Sequence, residues 1–311
     1  MLNRRFLRIK VMQALYSYFQ HENADMALFE KELFKSLDKV YSLYLYILAF
    51  FTDLHHTAYL VIDENKNKRL PSKEDLNPNM RFVNNVLLRS IAENPELKKE
   101  IEKQKISWQQ DFDLVRKIFN EIRNGQDYKK YMESDSADLK SDRDFVVSLV
   151  LNHMAEHEVL NHVFEDKNIH WADDTFLAYN SVIRTFELFD GKFVLMPLLK
   201  DAEDDKLFAS TLFRKTIQYN AAYEELIKKH TKNWELERIA SMDMLLMKMA
   251  IAEIMYLPNV PVKVSLNEYI DISKEYSTPN SKTFVNGVLD KIILELKRED
   301  KIKKTGRGLQ E

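Results

Sequence analysis

The stretch that decides the fold is NSKTFVNGVLDKIILELKRE, Asn280 to Glu299. Read locally, Asn286-Gly287 is a hairpin signal, because Asn-Gly supplies the positive φ angles of a tight turn. Read by period, the stretch is a helix. Phe284, Val288, Ile292 and Leu296 recur every fourth residue, with Val285 and Leu289 beside them. The period runs unbroken through the Asn-Gly pair, so the helix reading prevails. A glycine inside a helix costs about 1 kcal/mol against alanine. The expectation is that Gly287 offsets this cost by letting two helix backbones approach closely, with Asn286 bonding across the crossing.

The composition extends the helix reading to the whole chain. Its 311 residues include only five glycines and seven prolines, too few turn residues for a sheet-rich protein, while 45% hydrophobic residues supply a core. The expected fold class is all-α, over about two domains of ordinary size or one elongated one. The absence of cysteine excludes disulfides and thiolate chemistry. The basic N-terminus is not followed by the apolar segment of a secretory signal. The longest apolar run, VYSLYLYILAFF (Val40 to Phe51), is too short for a bilayer and reads as buried helix. A cytoplasmic, membrane-free protein is expected. A net charge of −3 means that any nucleic-acid site must be local.

The three tryptophans, Trp108, Trp171 and Trp234, are spaced 63 residues apart. The same offset aligns Phe82, Phe145 and Phe208, then Val86, Leu149 and Leu212, then Ile91, Met154 and Ile217. It also aligns Leu97, Leu160 and Tyr223, and Ile101, Phe164 and Ile227. The unit reads as helix, short break, helix, Trp, helix, a pattern that buries its open face by stacking on neighbours. Polar linkers precede the copies: DENKNKRLPSKEDLNPN from Asp63, ESDSADLKSDRD from Glu133 and DAEDDK from Asp201. The expected organisation is a basic helix and a long second helix over 1–62, an inserted helical region of two repeat-like units over 63–200, a C-terminal core over 201–299 and a frayed tail over 300–311.

Within that core, SMDMLLMKMAIAEIMYL (Ser241 to Leu257) is apolar almost all round and is expected at its centre, buried on every side. Pro258 and Pro261 end it. SLNE (Ser265 to Glu268) matches a capping box, with Ser265 capping the next helix. Asn280 or Ser281 caps the last one.

At the other end, Arg4, Arg5, Arg8 and Lys10 precede the first acidic residue, Glu22. Cations in the first turns of a helix oppose its macrodipole. A broken local rule without visible compensation points to function. Leu7, Val11, Ala14, Leu15 and Tyr18 form the core stripe, Arg4 and Arg8 share another face and Arg5 flanks it. Such a patch suits phosphates, and Tyr16 is available to stack on an unpaired base. A merely solubilising N-terminus is the plainer alternative.

The residues Trp234, Arg238-Ile239, Asp243, Leu246, Ala250, Glu253, Val260-Pro261, Lys263-Val264, Asn267-Glu268, Lys274, Ser281 and the block FVNGVLD (Phe284 to Asp290) together resemble the C-terminal signature of the NusB family. Arg4, Arg5 and Arg8 followed by Gln13-Ala14-Leu15-Tyr16 resemble its arginine-rich start. The resemblance implies a NusB-like helical bundle, here with inserted helical repeats. It implies a transcription antitermination factor that binds the boxA element of nascent RNA together with a small-subunit ribosomal protein, NusE, within the RNA polymerase antitermination complex on ribosomal RNA operons. The RNA-contacting set it implies is Arg4, Arg5, Arg8, Lys10, Tyr16 and Asn259, the last at a position where many members have Asp. The chain departs from the family in its length, about twice the usual, in Lys248 for a common Arg, and in Phe6 within the arginine run.

An enzyme is not expected. HMAEH (His153 to His157) matches a zinc-peptidase pattern, but the equivalent positions are Ser90 and Asn94 in the first copy and Thr216 and Asn220 in the third, so both histidines are expected to be exposed polar residues. No phosphate-binding glycine loop, nucleophile elbow or methyl-donor βαβ unit is present. No cofactor, metal or catalytic residue is assigned. The alternative function is a helical protein–protein scaffold on a NusB-like core without RNA binding.

Overall fold

The computed structural model describes residues 1–134, 138–231 and 239–309. In chain order its helices are α1 (Arg4–Gln20), α2 (Met26–Asn67), α3 (Lys73–Leu76), α4 (Val86–Glu93), α5 (Pro95–Gln104), α6 (Phe112–Asn124), α7 (Gln126–Glu133) and α8 (Leu139–His153). They continue with α9 (Glu158–Lys167), α10 (Thr175–Glu187), α11 (Ala202–Gln218), α12 (Asn220–His230), α13 (Ser241–Tyr256), α14 (Val262–Tyr276) and α15 (Ser281–Arg298). No strand occurs among the described residues, where the only β pairing is an isolated bridge between Leu2 and Leu199. The fold is all-α.

The chain forms two compact units. Unit 1 joins Met1–Ser36 to Leu199–Glu311, and unit 2 is Leu37–Leu198. Linker composition marks residue 62, but the units part inside α2. The physical reason is the apolar run from Val40: Val40 and Leu43 through Phe51 are buried as the core of unit 2. By length and composition α2 could cross a membrane, yet 67% of its apolar window is buried within the fold.

Unit 1 is built on α13. Every residue from Leu245 to Ile254 is buried, because α1, α11, α12, α14 and α15 all pack on it. Helix α14 starts at Val262 with Pro261 as N-cap, so the capping box expected at Ser265 does not form. Ser265 lies a turn inside the helix and donates its Oγ proton to Glu253 Oε1 at 2.7 Å. The α13–α15 junction is fixed by Ser281, whose Oγ donates to Asp243 Oδ2 (2.8 Å) and accepts from the Thr278 amide (3.0 Å). Asn280 holds the N-cap position of α15 without a side-chain bond.

Helix α15 confirms the period reading of the opening stretch: Val285, Val288, Leu289, Ile292 and Leu296 are buried. The role given to Gly287 is corrected. It is exposed, and a Cβ placed on it would meet nothing within 4 Å. Asn286 bonds within its own helix, from Nδ2 to Asp290 Oδ2 at 3.3 Å. Among the described residues no helix crosses at this position. Of the tail expected to fray, residues 301–309 dock on the turn after α13, and 310–311 lie outside the described residues. The Thr305 amide donates to Pro258 O (3.1 Å) and Lys304 Nζ donates to Leu257 O (3.0 Å).

Unit 2 holds the two segments that the 63-residue offset pairs. Trp108 lies between α5 and α6, and Trp171 between α9 and α10. Both indoles pack against Tyr46 of α2, with ring centroids 4.4 and 5.4 Å away. Both donate to carbonyls of that helix at 2.9 Å, Trp108 to Tyr46 O and Trp171 to Lys39 O. The second helices are capped alike: Asn94 accepts from the Leu97 amide at 2.8 Å, and His157 Nδ1 from the Leu160 amide at 3.2 Å. These pairs keep the 63-residue offset. The copies part at their first helices, where α4 has 8 residues and α8 has 15, and where Val86 is exposed while Leu149 is buried. The two copies therefore share α2 as a common support, in addition to the packing of α8 on α4. Trp234 lies outside the described residues.

Candidate nucleic-acid interface

Helix α1 begins at the N-cap Asn3, whose side chain accepts from the Phe6 amide at 3.1 Å. Leu7, Val11 and Leu15 face the core of unit 1 as their spacing requires. Both α11 and α13 pack on this helix, so more than one stripe of it is covered.

The arginines occupy three different environments. Arg4 donates from Nε to Asp205 Oδ1 (2.9 Å) and from Nη2 to Asp204 Oδ2 (2.5 Å), with its guanidinium 4.2 Å from the centre of the Phe208 ring. These carboxylates stand in the first turn of α11, where the helix dipole favours them. Arg5 reaches α14, with Nη2 3.4 Å from Glu275 Oε1 and Nη1 3.8 Å from Asp271 Oδ2. The side chains of Arg4 and Arg5 are 32% and 31% exposed.

Arg8 is 2% exposed and forms a two-pronged bond to Glu253, Nε to Oε2 at 2.8 Å and Nη2 to Oε1 at 2.6 Å. Glu253 also accepts from Ser265 Oγ and, at 2.9 Å, from Tyr269 OH. Burial alone would lower the pKa of Arg8, but the adjoining Glu253 outweighs it and the net shift is upward. Burial, then Glu253, pushes the Tyr269 phenol well above its ordinary value, which keeps it a donor. The result is a buried ion pair with its hydrogen bonds satisfied, the arrangement that low-dielectric burial demands.

Of the six residues read as RNA-contacting, Arg8 and Lys10 are buried, and neither is open to a phosphate in this structure. Arg4 and Arg5 are half-buried and carboxylate-paired. Tyr16 is 42% exposed. Asn259 is exposed and accepts at Oδ1 from Thr305 Oγ1 at 3.2 Å. The unfavourable arginines at the start of α1 thus have a compensation that no local pattern could reveal, acids 200 or more residues away. Glu253 stands in the signature string, but nothing in the sequence around it marks Arg8 as its partner. An acidic residue in an otherwise apolar helix was the available signal, because a buried carboxylate needs a cation.

The histidines of HMAEH are not the exposed residues expected. His153 Nε2 lies 3.0 Å from Asp127 Oδ2, and His157 caps α9 while its Nε2 lies 3.3 Å from Glu121 Oε2. Helix α8 ends at His153, so the two do not share a helical face. No group of three potential metal ligands occurs among the described residues.

Comparison with known proteins adds a family. The model of the NusB family matches residues 192–294, which lie almost entirely in unit 1. The transcription antitermination protein NusB of Salinibacter ruber is 47% identical over 116 residues, covering 37% of this chain and 72% of the relative. The NusB of Oceanobacillus iheyensis is 39% identical over 99 residues, 32% of this chain and 79% of the relative. That of Chloroherpeton thalassium is 47% identical over 104 residues, and the match spans 33% of this chain and 49% of the relative. No solved structure matches.

Proposed function

The chain belongs to the NusB family of transcription antitermination factors, and from that premise we propose that it binds boxA-type single-stranded RNA in nascent transcripts. In this reading it acts with the small-subunit ribosomal protein NusE, inside the RNA polymerase antitermination complex, in ribosomal RNA transcription. It works in the cytoplasm by binding, without catalysis. The observation that carries the reading is the 47% identity to an antitermination protein across most of that protein's length.

The geometry of unit 1 supports a division of labour among the expected site residues. Arg4, Arg5, Tyr16 and Asn259 make the contact, and Arg8 holds the base of α1 against α13 and α14. The acids facing Arg5 are exposed, as is Asp204 beside Arg4. Exposed pairs of this kind are worth about 0–1 kcal/mol, so a phosphate can replace them at little cost, while Arg4 keeps its bond to the buried Asp205. Tyr16 offers an aromatic face for an unstacked base.

A second reading has its own observation. All three N-terminal arginines already have carboxylate partners, as a scaffold without RNA affinity would allow. Fluorescence anisotropy with labelled single-stranded RNA, with and without the boxA-type element and across a salt series, separates the two. The RNA reading predicts preference for the element and affinity that falls steeply with salt. Binding that is absent, or indifferent to both variables, leaves the scaffold.

A further inference from the structure

We propose that Arg307, carried on the docked segment 301–309, is a further phosphate-contacting residue beside Asn259. The proposal rests on the RNA-binding reading above and adds to it a residue outside both ends of the signature.

The chain is poor in glycine, and two of its five glycines flank Arg307. Each is required by geometry. Gly306 adopts a left-handed φ of +52°, and Gly308 is buried where an added Cβ would run into the Pro258 carbonyl. Gly308 donates its amide to Thr305 O at 2.9 Å, which closes a short turn with Arg307 inside it. Thr305 fixes that turn to the α13–α14 connection through Pro258 O and Asn259 Oδ1. Lys304 caps the end of α13, where a cation is favoured.

The other cations of the segment are engaged. Lys301 pairs with Glu299 at 2.6 Å and Lys303 pairs with Asp300. Arg307 is exposed and has no carboxylate partner among the described residues, in contrast to Arg4, Arg5 and Arg8. A guanidinium presents planar, paired donors that match a phosphate, and it stays charged at any working pH. The docked backbone has already lost its freedom, so binding need order only one side chain. Exposed arginines are usually only solvated. Here two sterically demanded glycines hold one beside Asn259, and that is the reason for assigning it a ligand.

The test uses the full chain and a fluorescein-labelled single-stranded RNA with the boxA-type element. Arg307→Ala should weaken binding by about tenfold at moderate salt and make the salt slope shallower by about 0.7, the share of one single-strand phosphate. Arg307→Lys should keep the slope and recover part of the affinity. Gly308→Val should release the segment and reproduce the loss seen with Arg307→Ala, while melting as the parent does. An Arg307→Ala protein with the parent's affinity and slope overturns the proposal. A parent that shows no salt-dependent binding overturns the RNA reading itself, and that result is read before any variant is made.

Discussion

Unit 1 and unit 2 are both helical, but they are held together by different chemistry. Unit 1 buries charges of both signs, Arg8, Lys10, Asp205, Asp243, Lys248 and Glu253, whereas the Asp, Glu, Lys and Arg side chains buried in unit 2 are the carboxylates Asp142 and Asp174. Unit 2 is centred on rings, with Tyr44, Tyr46, Phe50, Phe51, Trp108, Phe164, Trp171 and Phe186 all buried. The difference explains why one unit carries a legible signature and the other only a period. A buried carboxylate such as Glu253 fixes the identity of its partners, since a replacement leaves an unpaired charge. An aromatic core tolerates exchange among apolar residues of similar volume, so only the spacing persists. The units also differ in charge. Unit 1 has 25 Lys and Arg against 22 Asp and Glu, and unit 2 has 21 against 27. The RNA reading therefore falls on unit 1.

The contrast can be broken most sharply at its buried ion pair. Arg8→Ala should destabilise unit 1 by about 3–5 kcal/mol, because Glu253 would stay buried without a cation. Arg8→Met with Glu253→Leu should recover part of that loss, because the stranded charge is gone while the buried hydroxyls of Ser265 and Tyr269 lose their acceptor. Denaturant titration followed by circular dichroism reads both. If the double variant is no better than the single, the network does more than satisfy a charge.

In unit 2 the equivalent probe is a ring. Trp108→Ala should cost about 3–5 kcal/mol through the cavity it leaves, with the Tyr46 carbonyl losing its donor as well. Trp108→Phe should cost less, retaining most of the packing. A large loss with Trp108→Phe would mean that the hydrogen bond to α2, rather than the ring, holds the copy in place.

The smallest effect concerns Gly287. With no described residue within 4 Å of its missing Cβ, Gly287→Ala should raise stability by about 1 kcal/mol through helix propensity. A loss of stability on thermal melting would restore the close helix crossing that the sequence suggested.

Much of this architecture was legible in the residues. The core stripe of α1 at Leu7, Val11 and Leu15 and the all-round burial of α13 follow from period and composition, which are properties of one helix at a time. What escaped depended on partners distant in sequence. Arg8 reads as a surface residue from α1 alone, and only the packing of α11 and α13 buries it. Ser265 matches a capping pattern, but its hydroxyl serves Glu253 and the helix starts a turn earlier. The docking of residues 301–309 was written in Gly306 and Gly308, yet glycines in a basic tail read locally as flexibility. His157 was legible in hindsight through its repeat column, since Asn94 at the same offset is a standard cap.

The central claim is that RNA contact belongs to unit 1. Ultraviolet crosslinking of the full chain to boxA-type RNA, with the attached peptides identified by mass spectrometry, tests it most directly. Crosslinks are expected in α1 around Tyr16, at Asn259 and within residues 301–309, and none in residues 37–198. Crosslinks concentrated in residues 37–198, with unit 1 unmarked, would contradict it.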